Sequence, residues 1–250
     1  MTGPIGYDDL RADTVLQVAK LMAAAAITAP KSGGQLFLAG KPNFIETVII
    51  DDADTRHRLA QWMRARGAER RETIWFRDAE VIEALDAVLY VGMVDWYPPN
   101  YDCGACGYAT CAEFLHATKQ LRAGSADLEF TGPTCTLRGV DLGVAVGSAA
   151  RTGALHCVDS RCQTRIAVAA RKLHLIRADL AVALSLSLTH KAITFDRRMP
   201  DIDYDLLDLP ATGTLPLGVP GAPRADGARN KQQPRTATAR RTRRAPSERN

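Results

Sequence analysis

Apolar residues recur at three- and four-residue spacing through Leu10, Thr14, Val18, Leu21 and Ala25, which predicts a first helix over Asp8–Ile27. Asp8 or Asp9 suits its N-terminus, and Pro30 ends it. An irregular stretch follows, Lys31–Pro42, with Gly33 and Gly34 inside it. The β-branched run Thr47–Ile50 predicts a strand. An acidic turn, Asp51–Asp54, leads to a helix from about Thr55 to Arg66, with Leu59, Trp62 and Met63 on one face and Gly67 as its stop. Thr73–Phe76 reads as a second short strand, Ala79–Ala84 as a brief helix and Val88–Val91 as an apolar strand. Helical spacing returns over Tyr108–Arg122 and again from about Arg138 to Ala154, where Leu142, Ala145, Val146 and Ala149 form a core face. Gly143 and Gly147 in that second helix suggest that another backbone packs close to it. Asp159–Leu173 predicts one more helix, and Leu180–Leu186 a last strand.

This alternation predicts an α/β (α+β) fold, a central sheet flanked by helices. One globular domain over residues 1–209 is expected, with a loop-rich segment at about 95–140 inserted in it. From residue 210 the chain turns rich in Pro, Gly, Thr and Arg, which predicts a disordered tail over 210–250. The formal charge of +4 is unevenly placed: residues 211–250 hold nine Lys or Arg against two Asp or Glu, leaving 23 basic against 26 acidic elsewhere. The basic character therefore belongs to the tail. Its Arg240, Arg241, Arg243 and Arg244 could meet nucleic acid or acidic partners, but a high-Arg, high-Ala composition accounts for them without a nucleic-acid function. The N-terminus carries Asp8, Asp9 and Asp13 in place of a cationic leader, and no apolar run approaches bilayer-spanning length. The expectation is a cytoplasmic protein without a membrane segment.

Chemistry concentrates at Asn100–Leu115, NYDCGACGYATCAEFL. Cys103, Cys106 and Cys111 are spaced C-x2-C-x4-C, and Cys135 follows after twenty-three intervening residues, just past Gly132-Pro133. Each iron of a 4Fe–4S cube takes one thiolate, and a two-residue gap lets one tight turn present two sulfurs to neighbouring irons. Gly104 and Gly107 supply the backbone freedom of such a turn. Cys111 falls in the first turn of the following helix, where the dipole favours a thiolate. Phe114, three residues on, could shield a cluster from water. A structural zinc site also uses four thiolates, but zinc ribbons commonly pair two C-x2-C knuckles, and here there is one. The spacing therefore favours an iron–sulfur centre bound by Cys103, Cys106, Cys111 and Cys135, with zinc as the alternative.

The segment CGACGYATCAEF resembles the C-x2-C-G-x3-C-x2-F cluster motif of corrinoid iron–sulfur proteins and their electron-transport relatives. VLQVAKLMAAAAITAPKSGG, the cysteine motif, GPTCTLRGVDLGVAVGSAA and LSLSLTHKAITFDR together resemble the ferredoxin-domain-containing proteins of bacteria and archaea, over most of residues 10–197. That resemblance implies a 4Fe–4S cluster on all four cysteines, and a role in electron transfer or as a redox component of an oxidoreductase system with a partner protein. The order of elements and ITAPKSGGQLF also resemble the flavin-dependent nitroreductase fold. This second resemblance implies FMN beside the cluster and, by analogy, a homodimer. Such folds place basic residues at the first helix for the flavin phosphate; Arg11 stands there, and Lys31, Ser32, Lys191, Arg197 and Arg198 could add phosphate contacts.

Other groups read as structural. Cys157 and Cys162, with His156 beside the first, could be a redox pair or spare ligands, but incidental thiols account for them. His116 reads as a solvent-facing helical residue, and Trp96, Tyr97, Pro98 and Pro99 as either an aromatic wall over the cluster or turn packing. The chain carries no P-loop and no G-x-G-x-x-G.

Overall fold

The computed structural model describes residues 4–33, 40, 43–124, 128–190 and 192–195. All of these fall in one compact unit, Met1–Leu217. The expected tail, with Lys191, Arg197 and Arg198, lies outside the described residues. In chain order the elements are helix α1 (Tyr7–Thr28), a 3-10 turn at Lys31–Gly33, strand β1 (Ile45–Ile50), α2 (Ala53–Arg70), α3 (Thr73–Ala84), β2 (Ala87–Met93), α4 (Cys111–Gly124), α5 (Thr136–Leu155), β3 (Asp159–Gln163), α6 (Thr164–Lys172) and β4 (Leu180–Ser187). The fold class is the mixed α/β expected from the pattern: a four-stranded sheet in the order β1-β2-β4-β3, antiparallel throughout, with helices on both faces.

Central strand β2 is buried along its whole length, because it has a core on each side. Ala87, Leu89, Val91 and Met93 face α1 and α5, whose Val15, Val18, Ala19, Met22, Leu142, Ala145 and Ala149 complete one apolar layer. Val88 and Tyr90 face the other layer, with Leu59, Met63, Trp75, Ile82 and Ile166 from α2, α3 and α6. The period of two along a strand makes this division automatic. Among the described residues, no helix is long and apolar enough to cross a membrane.

Several expectations are corrected. The buried face of α1 is Val15, Val18, Ala19, Met22 and Ala26, while Leu10 and Leu21 are half exposed. In an Ala-rich helix small residues allow close packing, so the line of Leu side chains does not mark the core face. Helix α2 runs through Gly67 to Arg70 and ends at Arg71 in the left-handed region, φ 57°. Gly67 is a packing residue: a Cβ there would lie 2.7 Å from the Phe76 ring and 2.9 Å from Trp75 Cβ. Thr73–Phe76 is the start of α3, because Trp75, Phe76, Ala79 and Ile82 share one buried helical face. Asp159–Gln163 is an edge strand, with helix only from Thr164. Its five polar-rich residues pair with β4 from Asp159↔Ser187 to Gln163↔Ala183, and the Ser185 hydroxyl donates to the Gln163 side chain. Gly143 and Gly147 face open space; the glycine of α5 that admits a neighbour is Gly153, where a Cβ would lie 2.9 Å from Met22 Sδ.

Helices α2 and α3 are also joined by charge. Arg64 Nη1 and Nη2 donate to the two Glu83 carboxylate oxygens at 2.7 and 2.5 Å, and His57 Nδ1 lies 3.0 Å from Glu83 Oε1. Desolvation pushes the Glu83 pKa up, but the hydrogen bonds and charge of Arg64 outweigh it and hold the carboxyl below its ordinary value. A depressed folded-state pKa stabilises the fold above the unfolded value of about 4.3, and that contribution is lost as pH falls through the folded value. Denaturant unfolding of Glu83→Gln should therefore lose less stability than the parent between about pH 4.5 and pH 3. Identical slopes in that window would show that the pair does not couple to folding.

Candidate metal centre

The site grows from the end of β2. Beyond Met93 the chain crosses the rim of the α1–α5 layer, where the Val94 N–H donates to the Phe44 carbonyl at 2.9 Å. Trp96 turns inward, 6% exposed, and its Nε1 donates to Asp179 Oδ2 at 3.1 Å. The loop then coils tightly: Asn100, Asp102, Gly104 and Gly107 have φ of 60°, 46°, 70° and 89°. Asn, Asp and Gly are the residues that tolerate this left-handed region. The Gly107 N–H closes the turn on the Gly104 carbonyl at 2.9 Å.

Helix α4 starts with a reciprocal cap. The Glu113 N–H donates to Thr110 Oγ1 at 3.2 Å, and Glu113 Oε2 accepts from the Thr110 and Ala109 amides at 3.3 and 3.2 Å. Asp102 Oδ1 accepts from the Cys111 N–H at 2.6 Å, which ties the loop to the first residue of α4. Cys135 is the residue that caps α5. Two helix N-termini thus begin at thiols, and the N-terminal end of a helix favours negative charge placed beside it.

Cys103, Cys106, Cys111 and Cys135 line one small recess that opens to solvent. Pro98, Pro99, Tyr108 and Phe114 also line it. Exposure falls inward: Cys103 is exposed, Cys106 and Cys111 are half-buried, and Cys135 is buried. Phe114 is 1% exposed and packs against Trp96 and Tyr108, with ring centroids 6.1 and 5.8 Å away. The aromatic-wall reading of the Trp96–Pro99 segment does not hold: Trp96 packs in the core against Phe114, Tyr97 is exposed, and of this segment only the two prolines line the recess.

The other sulfurs stand apart. Cys157 lies in a turn with φ 60° and Cys162 on β3, both exposed. Neither is disulfide-bonded in the structure. His116 is exposed on α4, 3.0 Å from Gln120 Nε2. Of the three described residues offered for a flavin phosphate, Arg11 Nε pairs with Asp86 Oδ1 at 2.7 Å, Ser32 Oγ donates to Asp141 Oδ2 at 2.7 Å, and Lys31 is exposed in the 3-10 turn after α1.

Among the described residues, no three His, Cys, Asp or Glu side chains converge as ligands of a single ion. Tetrahedral zinc, with Zn–S near 2.3 Å, needs its sulfurs about 3.8 Å apart. A polynuclear cluster gives each thiolate its own iron and lets the sulfurs stand wider. Sequence reasoning overlooked Arg138. It is 3% exposed and lies one turn beyond Cys135. A lone Arg on the buried side of a helix rich in Ala, Gly and Val was the available signal.

Two family models match the chain. One, described as "Putative Fe-S cluster", covers residues 99–129, and the other, described as "Uncharacterized protein containing a ferredoxin domain", covers 131–197. The first span holds Cys103, Cys106 and Cys111, and the second holds Cys135. A protein of Archaeoglobus fulgidus is 35% identical over 189 residues, 76% of this chain and 95% of its own length. Nitroreductase A from Vibrio parahaemolyticus superposes with a TM-score of 0.40 at 10% identity, over 77% of this chain and 62% of its own. The NADPH:FMN oxidoreductase of Vibrio harveyi gives 0.41 at 13%, over 80% and 67%. Likeness at that level carries no argument for a flavin here. The descriptions on the cysteine region fit an iron–sulfur redox role. By its archaeal relative and its matching models, the chain belongs to the family of proteins containing a ferredoxin domain.

Proposed function

We propose that Cys103, Cys106, Cys111 and Cys135 hold a 4Fe–4S cluster, and that the protein carries single electrons, either in transfer between proteins or as a redox component of an oxidoreductase system. One observation carries this reading: of six cysteines, the four spaced as a cluster motif line one recess, and the two others lie elsewhere. When bound, the cluster would supply a one-electron couple whose potential depends on burial and on hydrogen bonds to sulfur. The chain's own residues supply the rest. Phe114, Pro98 and Pro99 exclude water from one side, and the starts of α4 and α5 direct positive ends at the negatively charged site. Exposed Cys103 marks the side on which a redox partner could approach.

Full-length protein purified without oxygen should be brown and contain about four irons and four sulfides per chain. Colourless protein with one zinc would overturn the reading. A yellow colour surviving iron removal would point to a flavin instead.

A further inference from the structure

Helix α5 carries the most buried of the four thiols, and its first turn grips the loop that carries the other three. Thr136 Oγ1 donates to the Ala105 carbonyl at 2.9 Å, in the turn between Cys103 and Cys106. Arg138 Nε donates to the Tyr97 carbonyl at 2.6 Å, just before the prolines of the recess wall. The two contacts bracket the loop. Arg138 is itself held on several sides: Nη1 donates to Asp141 Oδ2 at 2.9 Å and to Ser32 Oγ at 3.0 Å, and its guanidinium carbon lies 4.7 Å from the centre of the Phe44 ring.

A buried ion pair is a costly way to hold a helix to a core, and an apolar side chain of similar volume commonly does as well. What only a guanidinium provides here is a fork of directed donors that reaches Tyr97, Asp141 and Ser32 together. We propose that Arg138 and Thr136 are positioning residues of the centre: they fix Cys135 relative to Cys103, Cys106 and Cys111, and Arg138 also sets a positive charge one turn from a ligand. This inference rests on the cluster reading given above.

Anaerobically loaded full-length protein distinguishes the two effects. The iron chelator bathophenanthroline sulfonate should bleach Arg138→Gln and Thr136→Val at least tenfold faster than the parent, with circular dichroism spectra unchanged. Arg138→Gln should also show a lower reduction potential, because it leaves the Asp141 carboxylate uncompensated and so disfavours the added electron. Arg138→Lys keeps the charge without the fork, so it should keep the parent potential but bleach fast. Thr136 is exposed, so its variant provides the test if Arg138→Gln does not fold. Parental bleaching rates in Thr136→Val and the folded Arg138 variants would overturn positioning, as would full rescue of the bleaching rate by Arg138→Lys. A parent protein that binds no iron would instead overturn the cluster reading.

Discussion

Cys135→Ser, purified without oxygen, is expected to lose its brown colour and most of its iron, and Cys103→Ser and Cys106→Ser to do the same. Cys157→Ser and Cys162→Ser should keep a full complement. The contrast follows from placement. Cys135 is 5% exposed at the start of α5, with the Gly139 N–H on its carbonyl at 2.9 Å, so its sulfur is held in one place, and no fifth thiol lines the recess to replace it. Serine keeps the shape but offers a hard oxygen with little affinity for the sulfur-rich centre. Iron content and the visible spectrum decide the matter. If Cys157→Ser alone strips the iron, the ligand set is wrong.

The second large effect concerns the sheet. A Cβ on Gly92 would overlap Ala178 Cβ and lie 2.9 Å from Ala181 Cβ and 3.1 Å from the Leu180 carbonyl oxygen. Gly92 lies on β2, between Glu46 of β1 and Ala181 of β4, where neither neighbour can retreat without disturbing its ladder. Gly92→Ala should therefore destabilise by about 1–3 kcal/mol, the usual cost of overpacking. The gain from a stiffer unfolded chain, about 0.4–1 kcal/mol, works the other way and is smaller. Ala178→Gly should recover part of the loss in the double variant, since it removes the nearest obstacle. Denaturant melts of the four proteins in a cycle measure the coupling. Additive effects would show that Ala178 is not what excludes the side chain.

The grouping of the thiols was legible in the sequence because its grammar is local: three cysteines within nine positions, glycines at the turn, and a helix start at Cys111. The long apolar elements were legible for the same reason, as β2 and the core face of α5 show. What misled was structure created by neighbours. Asp159–Gln163 has no alternation of its own and becomes a strand because β4 offers it an edge. Gly67 looks like a helix stop until the Phe76 ring is seen against it. The first helix has alanines all round, so spacing alone could not choose its buried side. Arg138 stood in plain sight, but its value depends on Tyr97 and Ser32, 41 and 106 positions away.

Helix α5 does two jobs with one rigid body. Its first residues reach the recess, while Leu142, Ala145 and Ala149 along its length are packed into the layer shared with α1. Whatever binds at the thiols therefore pulls on the interior as well, since ligand held only by the folded chain adds its free energy to folding. On the proposed reading, iron supply would bear on resistance to unfolding as well as on redox function.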